Sequence, residues 1–132
     1  MSRKRVVLDT NIVISALLFR GIHALWRKGA FIFLASAGIV REYAKVLAYP
    51  KFKLARREIQ ALLNEEILPH IEPVTIPERG ETVSRDPDDD KFLACARAGK
   101  ADCLVSGDAD PLSLKTYKGC PIITAARFLK SW

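Results

Sequence analysis

Seven of the eight aspartates of this chain fall in three short stretches, and two of those stretches follow a run of apolar residues. Asp9 follows Val6-Val7-Leu8, and Asp108 and Asp110 come shortly after Cys103-Leu104-Val105. The third stretch crowds Asp86, Asp88, Asp89 and Asp90 into five residues before an apolar segment. Carboxylates held this close repel one another unless something positive neutralises them. Mg²⁺ and Mn²⁺ prefer oxygen ligands, and a few carboxylates with water and a substrate phosphate suffice to hold them. The chemistry this pattern suits is metal-assisted work on a phosphate.

Each stretch also has a plainer use. Asp9-Thr10-Asn11 before an apolar helix are ordinary capping residues. Glu42 reads as a surface glutamate pairing with Arg41 or Lys45, and the acids from Asp86 to Asp90 as a turn and a helix start that suits negative charge. Ser106-Gly107-Asp108-Ala109-Asp110-Pro111 reads as a loop. Their joint placement is what points to a site.

The charge balance fits an anionic partner. The chain has 21 Lys+Arg against 15 Asp+Glu, a net charge of +6, and the signs are segregated along it. Arg41 to Arg57 holds six basic residues and one acid, Glu42; Glu78 to Asp90 holds six acids and two basic residues. Lys45, Lys51, Lys53, Arg56 and Arg57 are candidates for holding a phosphate backbone, with a solvated surface as their plainer use. Tyr43 or Phe52 could stack on a base, although core packing explains both.

Other chemistries lack their parts. Two histidines, His23 and His70, with no CxxC or HExxH spacing, argue against zinc. No GxGxxG or Walker A sequence is present, and neither histidine is placed for a serine or cysteine triad. No apolar run approaches the ~20 residues of a membrane span. Three cysteines without close spacing point to reduced thiols and a cytoplasmic setting; Cys95 and Cys103 read as buried packing residues.

The elements that must position these residues alternate. Strands are expected at Val6 to Leu8, Phe31 to Leu34, Ile71 to Ile76, Asp102 to Val105 and Pro121 to Ile123. Helices are expected from Ile12 to about Gly21, from His23 to Gly29, from a Ser36 cap to about Tyr49, over Arg57 to Leu68, through Phe92, Leu93 and Ala96, and from about Thr124. This is an α/β pattern with right-handed crossovers and a mostly parallel sheet, read as one domain over residues 1–132. In such sheets ligands bind beyond the carboxyl ends of the strands, where Asp9 and Asp108 fall.

Together, Val7-Leu8-Asp9-Thr10-Asn11, Glu42-Tyr43, Asp86-Pro87-Asp88-Asp89-Asp90-Lys91-Phe92-Leu93 and Val105-Ser106-Gly107-Asp108-Ala109-Asp110 resemble PIN-domain proteins. The likeness is greatest to the PIN-family toxins of bacterial and archaeal toxin–antitoxin systems, and it runs in order from about Arg5 onward. It implies a three-layer α/β/α fold with a central, mostly parallel five-stranded sheet. It also implies Mg²⁺- or Mn²⁺-dependent hydrolysis of single-stranded RNA to a 5′-phosphate and a 3′-hydroxyl, a cognate antitoxin and a homodimer. Carried over by position, Asp9 resembles the first acid, Glu42 the second and Asp108 the fourth. For the third, Asp89 fits through Phe92, Leu93 and Ala96 at the following third, fourth and seventh positions, and Asp90 fits less well. Asn11 and Ser106 match positions that often support the acids or contact the phosphate, and Asp110 is a candidate extra ligand. Two other readings stand beside this one: an RNA-binding or protein-interaction module without catalysis, and a PIN nuclease of RNA processing or decay. A phosphatase or phosphoreceiver domain would need an acid pair after the first strand, where this chain has one acid.

Overall fold

Unbroken apolar runs become the strands of one sheet. The computed structural model describes residues 3–19, 26–76, 87–107, 116–117 and 120–130; for residues 19, 87–90, 116–117, 126 and 129–130 it describes the backbone alone. The strands are β1 (Arg5–Leu8), β2 (Ile32–Ala35), β3 (Ile71–Pro73), β4 (Cys103–Val105), β5 (Thr116–Tyr117) and β6 (Cys120–Ile123). The helices are α1 (Thr10–Phe19), α2 (Ala37–Leu47), α3 (Arg56–Ala61), α4 (Pro87–Ala98) and α5 (Ala125–Lys130).

The order across the sheet is β3-β2-β1-β4-β6-β5. The first five of these pair in parallel, with Val6 opposite Phe33 on one side and Leu8 opposite Val105 on the other. The two-residue β5 adds an antiparallel edge to the expected five strands. Val6, Val7 and Leu8 are all fully buried, as are Phe33, Leu34 and Val105. Successive side chains on a strand point to opposite faces, so both faces of the sheet are covered. Phe33 packs 5.0 Å from Trp26, and Phe31 meets Phe128 edge-on at 5.3 Å. These rings join the strands to the residues before β2 and to α5.

The chain order defines a special point in this sheet. From β1 it moves outward through β2 to β3, then returns to the other side of β1 for β4 and β6. The strand order reverses between β1 and β4, and a crevice at their carboxyl ends is where open α/β sheets bind ligands. Asp9 follows β1 and Ser106 follows β4 at that point.

At the amino ends a different cluster closes the sheet. The Arg5 backbone N–H donates to Asp102 Oδ2 at 2.7 Å, and its guanidinium donates to the Gly99 carbonyl at 2.8 Å and to Glu72 Oε2 at 2.7 Å. This ties β1 to β3 and to the turn before β4.

One expected helix is not uniform. Arg57 to Leu68 was expected as a single helix, but α3 passes into a π-helical stretch at Leu62–Ile67 and a 3-10 turn at Leu68–His70. Pro69 has no N–H for the ladder, and the indole of Trp26 takes the Glu66 carbonyl at 2.8 Å. The Leu68 N–H bonds back to the Leu63 carbonyl instead. Residues 20–25 lie outside the described set, which takes in the first three positions of the short helix expected from His23 to Gly29; Trp26 and Arg27 are helical, and Lys28 and Gly29 form a turn.

Cys95, Cys103 and Cys120 are all buried free thiols. Burial pushes Cys95 up to about 12, and Cys103 and Cys120 to about 11. An unfolded thiol ionises near ~8.5, so the folded chain holds each as the neutral form. Their contribution to stability is complete below that value and is lost as pH rises from it through the folded values. The native protein should therefore react slowly with a thiol reagent at pH 8 and speed up only with unfolding, and its melting temperature should fall between about pH 9 and 11. Rapid labelling of all three thiols in the native state would contradict the buried placement.

Candidate functional site

Asp9 is set by both strands that flank the reversal. Its backbone N–H donates to the Val105 carbonyl at 3.0 Å, extending the β1–β4 ladder by one residue. Its carbonyl accepts from the Val13 N–H at 3.2 Å, and Oδ1 accepts from the Ile12 N–H at 2.9 Å. Asp9 is thus a helix cap, the plainer use the sequence offered. Its other oxygen goes elsewhere. Oδ2 accepts from the Ser106 hydroxyl at 2.7 Å and from the Gly107 N–H at 3.1 Å. Only 2% of Asp9 is exposed, so these donors take the place of water.

Glu42 approaches from α2. Ser36, buried at the end of β2, caps that helix by accepting the Ile39 N–H at 3.2 Å. Ile39, Tyr43 and Leu47 form its buried stripe, and Glu42 lies beside that stripe with its side chain 14% exposed. Its partners come from other elements. Oε2 accepts from the Thr10 hydroxyl, and Oε1 accepts from Lys91 Nζ at 3.1 Å. The pairing with Arg41 or Lys45 that a surface glutamate would make is replaced by these two.

Tyr43 locks the arrangement underneath. Its hydroxyl donates to the Leu8 carbonyl at 2.6 Å, and the ring is fully buried. Burial raises its phenol well above the ordinary value, and the neighbouring Cys95, Asp9 and Glu42 raise it further. Thr10, the residue after Asp9, donates to Glu42, which places the two acids in one neighbourhood although 33 positions separate them in the chain.

The remaining candidates divide by position. Asp89 and Asp90 lie in the first turn of α4, the helix that carries Lys91 to Glu42. Their side chains lie outside the described set, as do all of Asp108, Asp110 and Asp86. Among the described residues no three metal-ligating side chains converge. Asn11 is exposed on the first turn of α1, and Ser106 is fully buried against Asp9. Lys45 lies three positions beyond Glu42 on α2. Lys51, Lys53, Arg56 and Arg57 follow that helix in the turn and the start of α3, all exposed, with Lys51 Nζ 5.1 Å from the Phe52 ring centre. Thr10 and Lys91 were not singled out in the sequence. Thr10 adjoins Asp9 and Lys91 ends the acid run, so the signal was adjacency to candidate acids.

An open groove of about 550 Å³ lies beside this pair. Among the described residues it is lined by Ser36, Gly38 and Arg41 at the start of α2, by Pro73 to Ile76, and by Lys91.

The PIN-domain profile matches residues 5–110. The chain belongs to the PIN-domain family. No characterised protein matches it by sequence. Among solved structures it is similar to VapBC2 from Rickettsia felis, solved bound to a DNA fragment from the promoter, at 15% identity and a TM-score of 0.60. That match covers 90% of this chain and 97% of the other. It is also similar to the PIN domain endonuclease Utp24, at 19% identity and a TM-score of 0.52, covering 90% of this chain and 83% of that one. Both likenesses concern the fold.

PIN domains are nuclease domains that generally use divalent metals. The described donors suit that use: two carboxylates, with the hydroxyls of Thr10 and Ser106 against them, make an all-oxygen set for a hard cation. Lys91 supplies a positive charge to Glu42 where a metal would otherwise do so. No helix among the described residues is long and apolar enough to cross a membrane.

The Tyr43 bond has a measurable cost. Tyr43→Phe removes the donor to the Leu8 carbonyl, and the protein should lose about 1 kcal/mol in urea unfolding. An unchanged midpoint would mean that the bond does not hold β1 to α2 in solution.

Proposed function

We propose that this PIN-domain chain is a metal-dependent ribonuclease that hydrolyses single-stranded RNA, and that it serves as the toxin of a toxin–antitoxin pair. The observation that carries the nuclease reading is the convergence of Asp9 and Glu42 at the sheet's reversal point, each held by donors from distant elements. A solved relative in fold is a VapBC complex, which supports the toxin role, a cognate antitoxin as partner and a cytoplasmic setting. A homodimer completes the proposal.

Asp9 and Glu42, with Asp89 and Asp108, are the proposed holders of Mg²⁺ or Mn²⁺; Asp110 is an additional ligand, and Asp90 supports the third acid. When bound, the metal supplies an activated water and charge stabilisation for in-line attack at phosphorus. The chain's own residues do the positioning. Ser106 and Gly107 fix Asp9 Oδ2 and leave Oδ1 committed to the start of α1. Thr10 fixes one oxygen of Glu42 and Lys91 the other. Lys91 also offsets the charge of the acids as the substrate phosphate approaches, an approach that Lys45, Lys51, Lys53, Arg56 and Arg57 assist at longer range. Asn11 supports the acids or contacts the phosphate. Cleavage leaves a 5′-phosphate and a 3′-hydroxyl.

The decisive assay is cleavage of generic single-stranded RNA with Mn²⁺. Wild type should cut and EDTA should stop it, whereas Asp9→Asn and Glu42→Gln should each lose about 10²-fold or more. Ser106→Ala, which removes a support and not a ligand, should lose about 10- to 100-fold. Equal cleavage by wild type and Asp9→Asn, or none by either, would leave a binding module as the better account.

A further inference from the structure

The groove beside Glu42 has no role in holding the two acids together, yet it shares a residue with their network. Lys91 belongs to both: its Nζ bonds Glu42 at 3.1 Å, and its side chain forms one wall of the groove. Arg41, the residue before Glu42, forms another wall. It is exposed and makes no hydrogen bond or ion pair with any described residue. Its guanidinium lies back over the first turn of α2, where a Cβ added to Gly38 would sit 3.9 Å from the terminal nitrogen. With no carboxylate partner among the described residues, its planar, fork-shaped set of donors suits an anion.

The rest of the lining fits one kind of ligand. None of the described lining residues is acidic, and Val74 and Ile76 of the segment after β3 present half-buried apolar surface beside the cations. Polar charge on one side and apolar surface on the other match a nucleotide, with its phosphate toward Arg41 and Lys91 and its ribose and base toward Val74 and Ile76. By contrast, Lys51, Lys53, Arg56 and Arg57 do not line this groove.

We infer that this groove is a nucleotide subsite, in which Arg41 and Lys91 bind the phosphate that flanks the scissile phosphate of a single-stranded RNA. The inference rests on the ribonuclease reading for the identity of the strand, and its test does not depend on cleavage. A fluorescent, 2′-O-methylated single-stranded oligonucleotide, which resists cleavage, is titrated with the protein in Mg²⁺ and followed by anisotropy over a series of salt concentrations. Arg41→Glu should weaken binding at least tenfold, and Arg41→Gln by a smaller factor. For Arg41→Gln the slope of log affinity against log salt should fall by about 0.7, the value for one lost single-strand phosphate contact. Lys100→Glu makes the same charge change at the exposed end of α4, near the amino ends of the strands, and should have a much smaller effect. Arg41 is exposed, so both variants should keep the wild-type thermal unfolding.

Equal weakening by Arg41→Glu and Lys100→Glu would overturn the subsite, since only net charge would then be at work. So would an unchanged affinity in Arg41→Glu, or no binding by wild type. Manganese-dependent cleavage by wild type with unchanged binding in Arg41→Glu removes the groove and keeps the nuclease. Selective loss of binding in Arg41→Glu by a protein that never cleaves keeps the groove and removes the nuclease.

Discussion

A carboxylate that is almost wholly buried at the centre of a parallel sheet must be satisfied by the protein itself. Asp9 is in that position, and the surrounding structure answers the requirement. Its main chain carries the β1–β4 ladder one step past the last paired residue, its carbonyl and Oδ1 start α1, and its Oδ2 collects the donors that follow β4. Leaving a buried charge without such donors would cost several kcal/mol. The pairing of β1 with β4, the start of α1 and the conformation of the Ser106-Gly107 turn are therefore conditions on one another.

Glu42 answers the same requirement differently. It lies nearer the surface and accepts one hydroxyl and one ammonium, both from residues outside its own helix. Thr10 is the hinge between the two acids, since it follows Asp9 in the chain and donates to Glu42. Tyr43, the next residue on α2, reaches under both to the Leu8 carbonyl. An exposed ion pair alone would contribute little. The Lys91–Glu42 pair is instead part of a partly enclosed network, and it ties α4 to α2.

Much of this was legible in the sequence because it depended on local pattern. Val6-Val7-Leu8 and Cys103-Leu104-Val105 are continuous apolar runs, and only strands covered on both faces require that pattern. Ser36 before an amphipathic stretch marked the start of α2 to the residue. Asp9 was legible as a cap and as an acid, and it proved to be a cap whose second oxygen faces a different strand. What local pattern did not hold was partnership across the chain. Nothing near Glu42 indicates Lys91 or Thr10, because those contacts arise from how α2 and α4 dock on the sheet. The break in the helix at Leu62 was also hidden: it depends on the Trp26 indole reaching the Glu66 carbonyl from a distant segment. The antiparallel edge from Thr116 was missed because two residues are too few to show a period.

The span of the Ser106–Asp9 bond, 97 positions, has a consequence for the chain as it is made. During synthesis from the amino end, Asp9, Thr10 and Glu42 emerge long before Lys91, β4 and Ser106. A nascent chain that stops after β3 carries both acids but lacks the strand that shields one and the lysine that pairs with the other. The two carboxylates would then share the Thr10 and Tyr43 contacts but lack the Ser106 and Gly107 donors and the Lys91 charge. Assembly of the acid pair is thereby completed only when β4 and Ser106 have left the ribosome.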